Sequence, residues 1–181
     1  QRHGAPVLDA DRLAAAVGRA EWADTANWYR AKLPFALSVV PLWADHVVRI
    51  LAALRGRSRK CLVLDLDNTC WGGVIGDDGV EGIRLGQGSA DGEAYLAIQS
   101  YALSLRDRGV VLAVVSKNEE DAALLPFRNH PEMLLKEDDI AVFIANWTDK
   151  ATNIAHVAKR LNIGLDALVF LDDNPAERAR V

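Results

Sequence analysis

Two carboxylates, Asp65 and Asp67, close an apolar run in "CLVLDLDNTCWGG", residues 61–73, and a thiol, Cys70, stands three residues after the second acid. Ser116, Lys117 and Asn118 close another such run, in "VVLAVVSKN". Asn146 and Lys150 follow a third, and Asp172 and Asp173 end a fourth, "ALVFLDD". Carboxylates gathered at one point repel each other, and a bound cation relieves them. Oxygen donors without His or Cys clusters favour a hard ion, and Mg2+ keeps several waters and shares phosphate oxygens. A hydroxyl and a lysine ammonium beside that ion suit a phosphate group. With phosphate held there, one aspartate can attack phosphorus and form an aspartyl-phosphate. A second can protonate the leaving group and then activate water. The turn after Asp65 offers backbone N–H groups to the phosphoryl oxygens.

This chemistry requires that four separate stretches meet, and the pattern between them says how. "CLVLDLD", "VVLAVVS", "IAVFIANW" and "ALVFLDD" are continuous apolar runs, as in strands buried on both faces. "SADGEAYLAIQSYALSLRDRG", "NEEDAALLPF" and "TDKATNIAHVAKRLNIG" read as the helices between them, the first capped by Ser89 or Asp91 and stopped by Gly109. Alternation of this kind predicts an α/β fold with a parallel sheet, whose ligand crevice lies beyond the carboxyl ends of the strands. The residues above are what those ends deliver. "WGGVIGDDGVEGIRLG" reads as a β-hairpin flap after the first strand, turning at Asp77-Asp78-Gly79. Residues 1–57 read as an N-terminal helical region and 58–181 as the α/β domain. In the former, Asp residues open a helix that ends near Gly18, Pro41 breaks a second and Gly56 stops it. Trp22, Trp28 and Trp43 pack that region together, and the basic run Arg55, Arg57, Arg59 and Lys60 is a solvated linker.

The 181 residues are half hydrophobic, enough for one core with an appendage, and the net charge is -4. The acidic balance argues against a nucleic-acid binder. No apolar run near eighteen residues stands out, so no membrane span is expected, and the first residues lack a signal-peptide pattern. Two cysteines form no disulfide framework, so a reducing cytoplasm is the expected setting. The chain begins with Gln1 rather than Met, as a piece of a longer protein would.

Either acidic motif alone reads as a turn or helix cap. Together, in this order, they resemble the motifs of the haloacid dehalogenase (HAD) superfamily: "DLDNT" the first, "VVSKN" the second, Lys150 in "NWTDKATNI" the third and "VFLDDNP" the fourth. The resemblance implies a HAD-type Rossmann-like sheet with a flap after the first strand. It implies Asp65 as nucleophile and Asp67 as acid/base. It gives Mg2+ to Asp65, the Asp67 carbonyl, Asp172 and the neighbouring Asp173, and the phosphoryl group to Thr69, Ser116 and Lys150. Lys117 competes with Lys150 for its role. Asn118 and Asn146 are candidates for substrate hydroxyls, as Trp71 and Gly72 are for ligand approach.

"LDLDNTCWGGVIGDDG", "GEAYLAIQSY", "VVSKNEEDA" and "LDALVFLDDNPAERARV" further resemble FkbH-like proteins of polyketide pathways. That likeness implies dephosphorylation of 1,3-bisphosphoglycerate and loading of its three-carbon unit, through a cysteine thioester, onto an acyl carrier protein. Cys70 is the candidate thiol, because a thiolate attacks an acyl phosphate and phosphate departs. Nearby acids raise a thiol pKa, while Mg2+ and Lys150 lower it. The alternative for Cys70 is a small filler beneath the flap; Cys61, at the far end of its strand, reads as packing. Two rival functions stand beside this one: a plain Mg2+ phosphatase, and a non-catalytic domain that docks a carrier. The resemblance also implies further sheet and a further domain beyond Val181.

Overall fold

The computed structural model describes residues 6–181. The chain divides into two compact units, at Ser58/Arg59.

The first unit contains helices α1 (Ala10–Val17), α2 (Arg19–Trp22), α3 (Thr25–Ala31) and α4 (Val40–Leu54). Asp9 caps α1, its carboxylate accepting the Arg12 N–H at 2.9 Å, and Gly18 follows its last residue. Pro41 stands in the first turn of α4, where its missing N–H is harmless, rather than breaking a longer helix. Phe35 joins Trp22 (5.9 Å between centroids) and Trp43 (5.8 Å). Trp28 is not in that cluster: it is half exposed, with the Lys32 ammonium over its ring. The stretch Leu37–Leu54, with mean hydropathy 1.5 and 6% of it buried, is long and apolar enough to cross a membrane. This corrects the expectation that no such stretch exists. Asp45 and Arg49 interrupt the run, and they neutralise each other one helical turn apart at 2.7 Å.

The second unit is a four-stranded parallel sheet in the order β3-β2-β1-β4, built from β1 (Cys61–Leu64), β2 (Val111–Ser116), β3 (Ile140–Ala145) and β4 (Leu168–Leu171). It is flanked by α5 (Ile75–Gly82), α6 (Ala90–Arg106), α7 (Glu120–Asn129), α8 (Lys150–Leu161) and α9 (Pro175–Arg180). Side chains alternate across each strand. Leu62, Leu64, Leu112 and Val114 join one core with Ala102 of α6 and Phe127 of α7. Cys61, Val63, Ala113 and Val115 join the other with Ile154 and Val157 of α8. Central strands buried on both faces explain why their sequences run apolar without alternation.

The segment after β1 is not a β-hairpin. Gly72 and Arg84 form one antiparallel bridge, with N–H donors at 2.9 and 2.7 Å, and the chain between them folds as α5. Asp77 and Asp78 lie in its first turn, and Gly79 interrupts it at φ +65°. Ile75, Val80 and Ile83 face the core, so burial of those three side chains overrides the local turn chemistry of Asp-Asp-Gly.

Candidate active site

Every sequence motif arrives at the carboxyl edge of the sheet. Asp65 follows β1, and its backbone N–H donates to the Leu171 carbonyl of β4 at 2.9 Å, which holds the first and fourth motifs side by side. Ser116 ends β2, Lys150 begins α8 and Asp172 follows β4.

Asp65 is 5% exposed. The Ser116 hydroxyl donates to its Oδ1 at 2.8 Å, and Lys150 Nζ stands 2.8 Å from its Oδ2. Lys150 also donates to Asp172 Oδ2 at 2.6 Å. Burial pushes the Asp65 carboxyl above its ordinary range, more than Lys150, Ser116 and the Leu66 N–H pull it down. Burial alone would lower Lys150, but Asp65 and Asp172 outweigh it and keep the ammonium charged. One oxygen each from Asp65, Asp172 and Asp173 lie within 4.8 Å of one another. This oxygen-only donor set suits a hard divalent cation. The Asp67 carboxylate is outside that group; the ligand expected from Asp67 is its backbone carbonyl.

Asp67 is instead clasped from three sides. Its Oδ1 accepts the Trp71 indole N–H (2.9 Å) and the Ile75 N–H (3.0 Å), and its Oδ2 accepts Asn118 Nδ2 (2.9 Å). Asn118 also reaches Ser116 Oγ at 3.2 Å, so both aspartates belong to one network. Among the described residues, no buried side-chain polar atom lacks a hydrogen-bond partner. Asp65, Asp67, Ser116, Lys117 and Lys150 line a cavity of about 220 Å³ beside this network.

The cavity also touches Asn68, Asn174 and Glu177, which sequence reasoning missed. Asn68 sits in the left-handed region (φ +53°), and its side chain accepts the Gly73 N–H at 2.9 Å. Asn174 caps α9 ahead of Pro175, a capping pair visible in "NPAE". Glu177 accepts from Lys117 Nζ at 2.7 Å, so Lys117 is at the rim and Lys150 alone reaches Asp65 and Asp172. Arg178 donates to the carbonyls of Asp172 and Asp173 and fixes the last loop.

Four expected ligand contacts take other roles. Thr69 Oγ1 accepts the Asp173 N–H at 3.1 Å, bracing one loop on another. Trp71 is fully buried and meets Asp67 rather than the cavity. A Cβ on Gly72 would come within 2.8 Å of the Tyr95 ring, so this glycine serves packing. Asn146 accepts from Asn153 Nδ2 (2.8 Å) and the Thr148 N–H (3.0 Å) within its own loop.

Cys70 departs furthest from expectation. It is fully buried among Leu64, Leu66 and Trp71, and its thiol donates to the Asp65 carbonyl at 3.2 Å. Burial, then Asp65 and Asp67, push its pKa far up. The thiol is therefore packed in the core, as a filler would be, and the cavity is not lined by it.

No family model matches the chain, and no curated protein matches it. Among solved structures, the crystal structure of the N-terminal part of BF1531 from Bacteroides fragilis, containing a phosphatase domain complexed with Mg, is similar to this chain, with a TM-score of 0.86 at 46% identity. The match covers 94% of this chain and 45% of that one, so the chain spans less than half the length of its neighbour. The α/β fold with its parallel sheet is that of a phosphatase domain.

Proposed function

We propose that this chain is a Mg2+-dependent phosphatase domain that works through an aspartyl-phosphate. The observation that carries this reading is the different treatment of two aspartates two residues apart. Asp65 is held between Ser116 and Lys150 with the cation-binding carboxylates beside it. Asp67 is turned from that cluster and bound by neutral donors. Such a division assigns nucleophile and acid/base roles.

Asp65, Asp172 and Asp173 would hold Mg2+, which offsets the repulsion between these carboxylates and an incoming phosphate. A carboxylate oxygen of Asp65 attacks phosphorus, and the bond from phosphorus to the leaving oxygen breaks. Protonated Asp67 gives its proton to that oxygen. Ser116 and Lys150 bind the phosphoryl oxygens and orient the nucleophile. Water then attacks phosphorus, Asp67 takes its proton, and the acyl–phosphate bond to Asp65 breaks to release phosphate.

A second reading is loading of the three-carbon unit of 1,3-bisphosphoglycerate, through Cys70, onto an acyl carrier protein. It rests on the FkbH-like motifs and on the closeness of the thiol to Asp65. The burial and raised pKa of Cys70 oppose it.

Both readings are tested by mixing the chain with p-nitrophenyl phosphate or 1,3-bisphosphoglycerate, with and without Mg2+. Released phosphate and intact mass are measured for wild type, Asp65→Asn and Cys70→Ala. The phosphatase reading expects Mg2+-dependent phosphate release, lost in Asp65→Asn and retained in Cys70→Ala. A glyceryl adduct present in wild type and missing in Cys70→Ala would establish loading. No phosphate release from either compound would refute both.

A further inference from the structure

We propose that Trp71 is a positioning residue that decides which oxygen of Asp67 carries the catalytic proton. This inference rests on the phosphatase reading above, in which Asp67 is the acid.

A carboxylate oxygen has two acceptor sites in its plane. On Asp67 Oδ1 both are taken, one by the indole N–H of Trp71 at 2.9 Å and one by the backbone N–H of Ile75 at 3.0 Å. Oδ2 accepts only Asn118 Nδ2, at 2.9 Å. A proton on Asp67 therefore has one open position, the second site of Oδ2. That oxygen lies on the reacting side: Asn118 links it to Ser116 Oγ (3.2 Å), and Ser116 Oγ donates to Asp65 Oδ1 (2.8 Å). With Oδ1 saturated from beneath the site, the proton stays beside the nucleophile, where the leaving oxygen departs.

The indole is held firmly enough for this. Trp71 is fully buried, and Phe127 packs edge-on against it with centroids 6.2 Å apart. The indole N–H and the Ile75 N–H are donors only, so a proton placed on Oδ1 would displace one of them from its in-plane site. Removal of the N–H reopens a site on Oδ1. The proton then divides between two oxygens, of which one faces the core.

The consequence is selective. An ester whose leaving group departs as a stable anion, such as p-nitrophenyl phosphate, needs little help from an acid. An alkyl ester such as glycerol phosphate needs the proton in full. General acid catalysis of this kind contributes about 10²–10⁴-fold. Trp71→Phe is expected to lose about tenfold more kcat/KM on the alkyl ester than on p-nitrophenyl phosphate, a fraction of that range. The benzothiophene analogue of tryptophan at position 71 keeps the bicyclic shape without the N–H. It should show the same steepened leaving-group dependence, and it keeps the test valid if Trp71→Phe fails to fold. Phe127→Leu loosens the same packing without touching Asp67 and should lower both substrates alike. Equal losses on both esters in the N–H-free variants, beside an active wild type, would overturn the role of Trp71 alone. A wild type that hydrolyses neither ester would overturn the phosphatase reading and this proposal with it.

Discussion

Lys150→Met removes the cation that two buried carboxylates share. The Lys150 side chain is 5% exposed, and Asp65 and Asp172 beside it are 7% and 0% exposed. Water cannot substitute for the ammonium, so no solvent discount applies. Removal of one partner from a buried ion pair costs about 3–5 kcal/mol. For a chain of 181 residues, 1 kcal/mol moves Tm by about 3 °C, so a loss of about 10 °C is expected without metal near neutral pH. The pH dependence tests the cause. Lys150 now pulls the Asp65 carboxyl down against burial; without it, only Ser116 and the Leu66 N–H oppose burial, and the carboxyl rises further. A carboxyl raised in the folded state binds its proton there before it does in the unfolded chain. Its cost is present in full above the folded pKa and disappears as pH falls toward the ordinary carboxylate value. Urea unfolding should therefore show a large difference between variant and wild type near neutral pH and a much smaller one at about pH 4.5. Added Mg2+ should raise the Tm of the variant more than that of wild type, because in wild type Lys150 already neutralises two of the carboxylates. Equal destabilisation at both pH values would refute the electrostatic account and leave lost packing as the cause.

Thiol chemistry gives an independent check of the core around the site. Burial pushes Cys61 up to about 11 and Cys70 higher still, so neither should react with Ellman's reagent in the native chain near pH 8, and both should after unfolding. Fast native labelling mapped to Cys70 would contradict its placement. Gln99→Leu should cost about 3 kcal/mol in urea unfolding, because it strands the Cys70 carbonyl and the Leu134 and Leu135 N–H groups. A loss below about 1 kcal/mol would mean that water reaches those groups. Glu177→Gln should cost no more than about 1 kcal/mol, since its Lys117 partner is one-third exposed. The hydrogen bond from Lys117 holds the Glu177 carboxyl below its ordinary range. That stability is present above the ordinary carboxylate pKa and lost as pH falls through the lowered value, so the variant and wild type should converge in acid.

The central strands β1 and β2 were legible because a parallel strand buried on both faces has one sequence form, a short apolar run, and a polar residue at its end marks its exit toward solvent; β3 and β4, at the sheet edges, share that apolar form although Val169 and Leu171 of β4 are exposed. Asp65, Ser116 and Asp172 were found in that way, and Lys150, which begins α8, came from the resemblance of its motif. The loop after β1 was not, because spacing along an irregular segment does not say which side each residue faces. Leu66, Cys70 and Trp71 are all fully buried, while Asn68 between them borders the cavity. Proximity to Asp65 in sequence placed Cys70 and Trp71 on the wrong side. Gln99 carried a readable signal. It shares a helical stripe with Tyr95, Leu96, Ala102 and Leu103, which pack on the core, and a polar residue on such a stripe must be bonded. Its four bonds tie the Cys70 carbonyl to Met133, Leu134 and Leu135, each bond spanning 29 or more residues of sequence, which no local pattern reveals.

That link bears on what the thiol can do. For Cys70 to accept an acyl group, Sγ must leave its contact with the Asp65 carbonyl and reach the cavity. The backbone on either side resists. Gln99 holds the Cys70 carbonyl at 2.8 Å, and the Cys70 N–H donates to Leu66 at 2.7 Å. The next residue, Trp71, is bound to Asp67. Rotation of the loop would therefore break the clasp on Asp67 along with the contacts of the thiol. Phosphoryl chemistry needs that clasp closed, and acyl capture by Cys70 needs it open, so one conformation cannot serve both. If loading occurs on this chain, dephosphorylation and thioester formation must be separate conformational states. A glyceryl adduct mapped to Cys70, formed together with a change in tryptophan fluorescence that Trp71→Phe abolishes, is the signature of such an opening, and the absence of any adduct on Cys70 after incubation with substrate would exclude the thioester route.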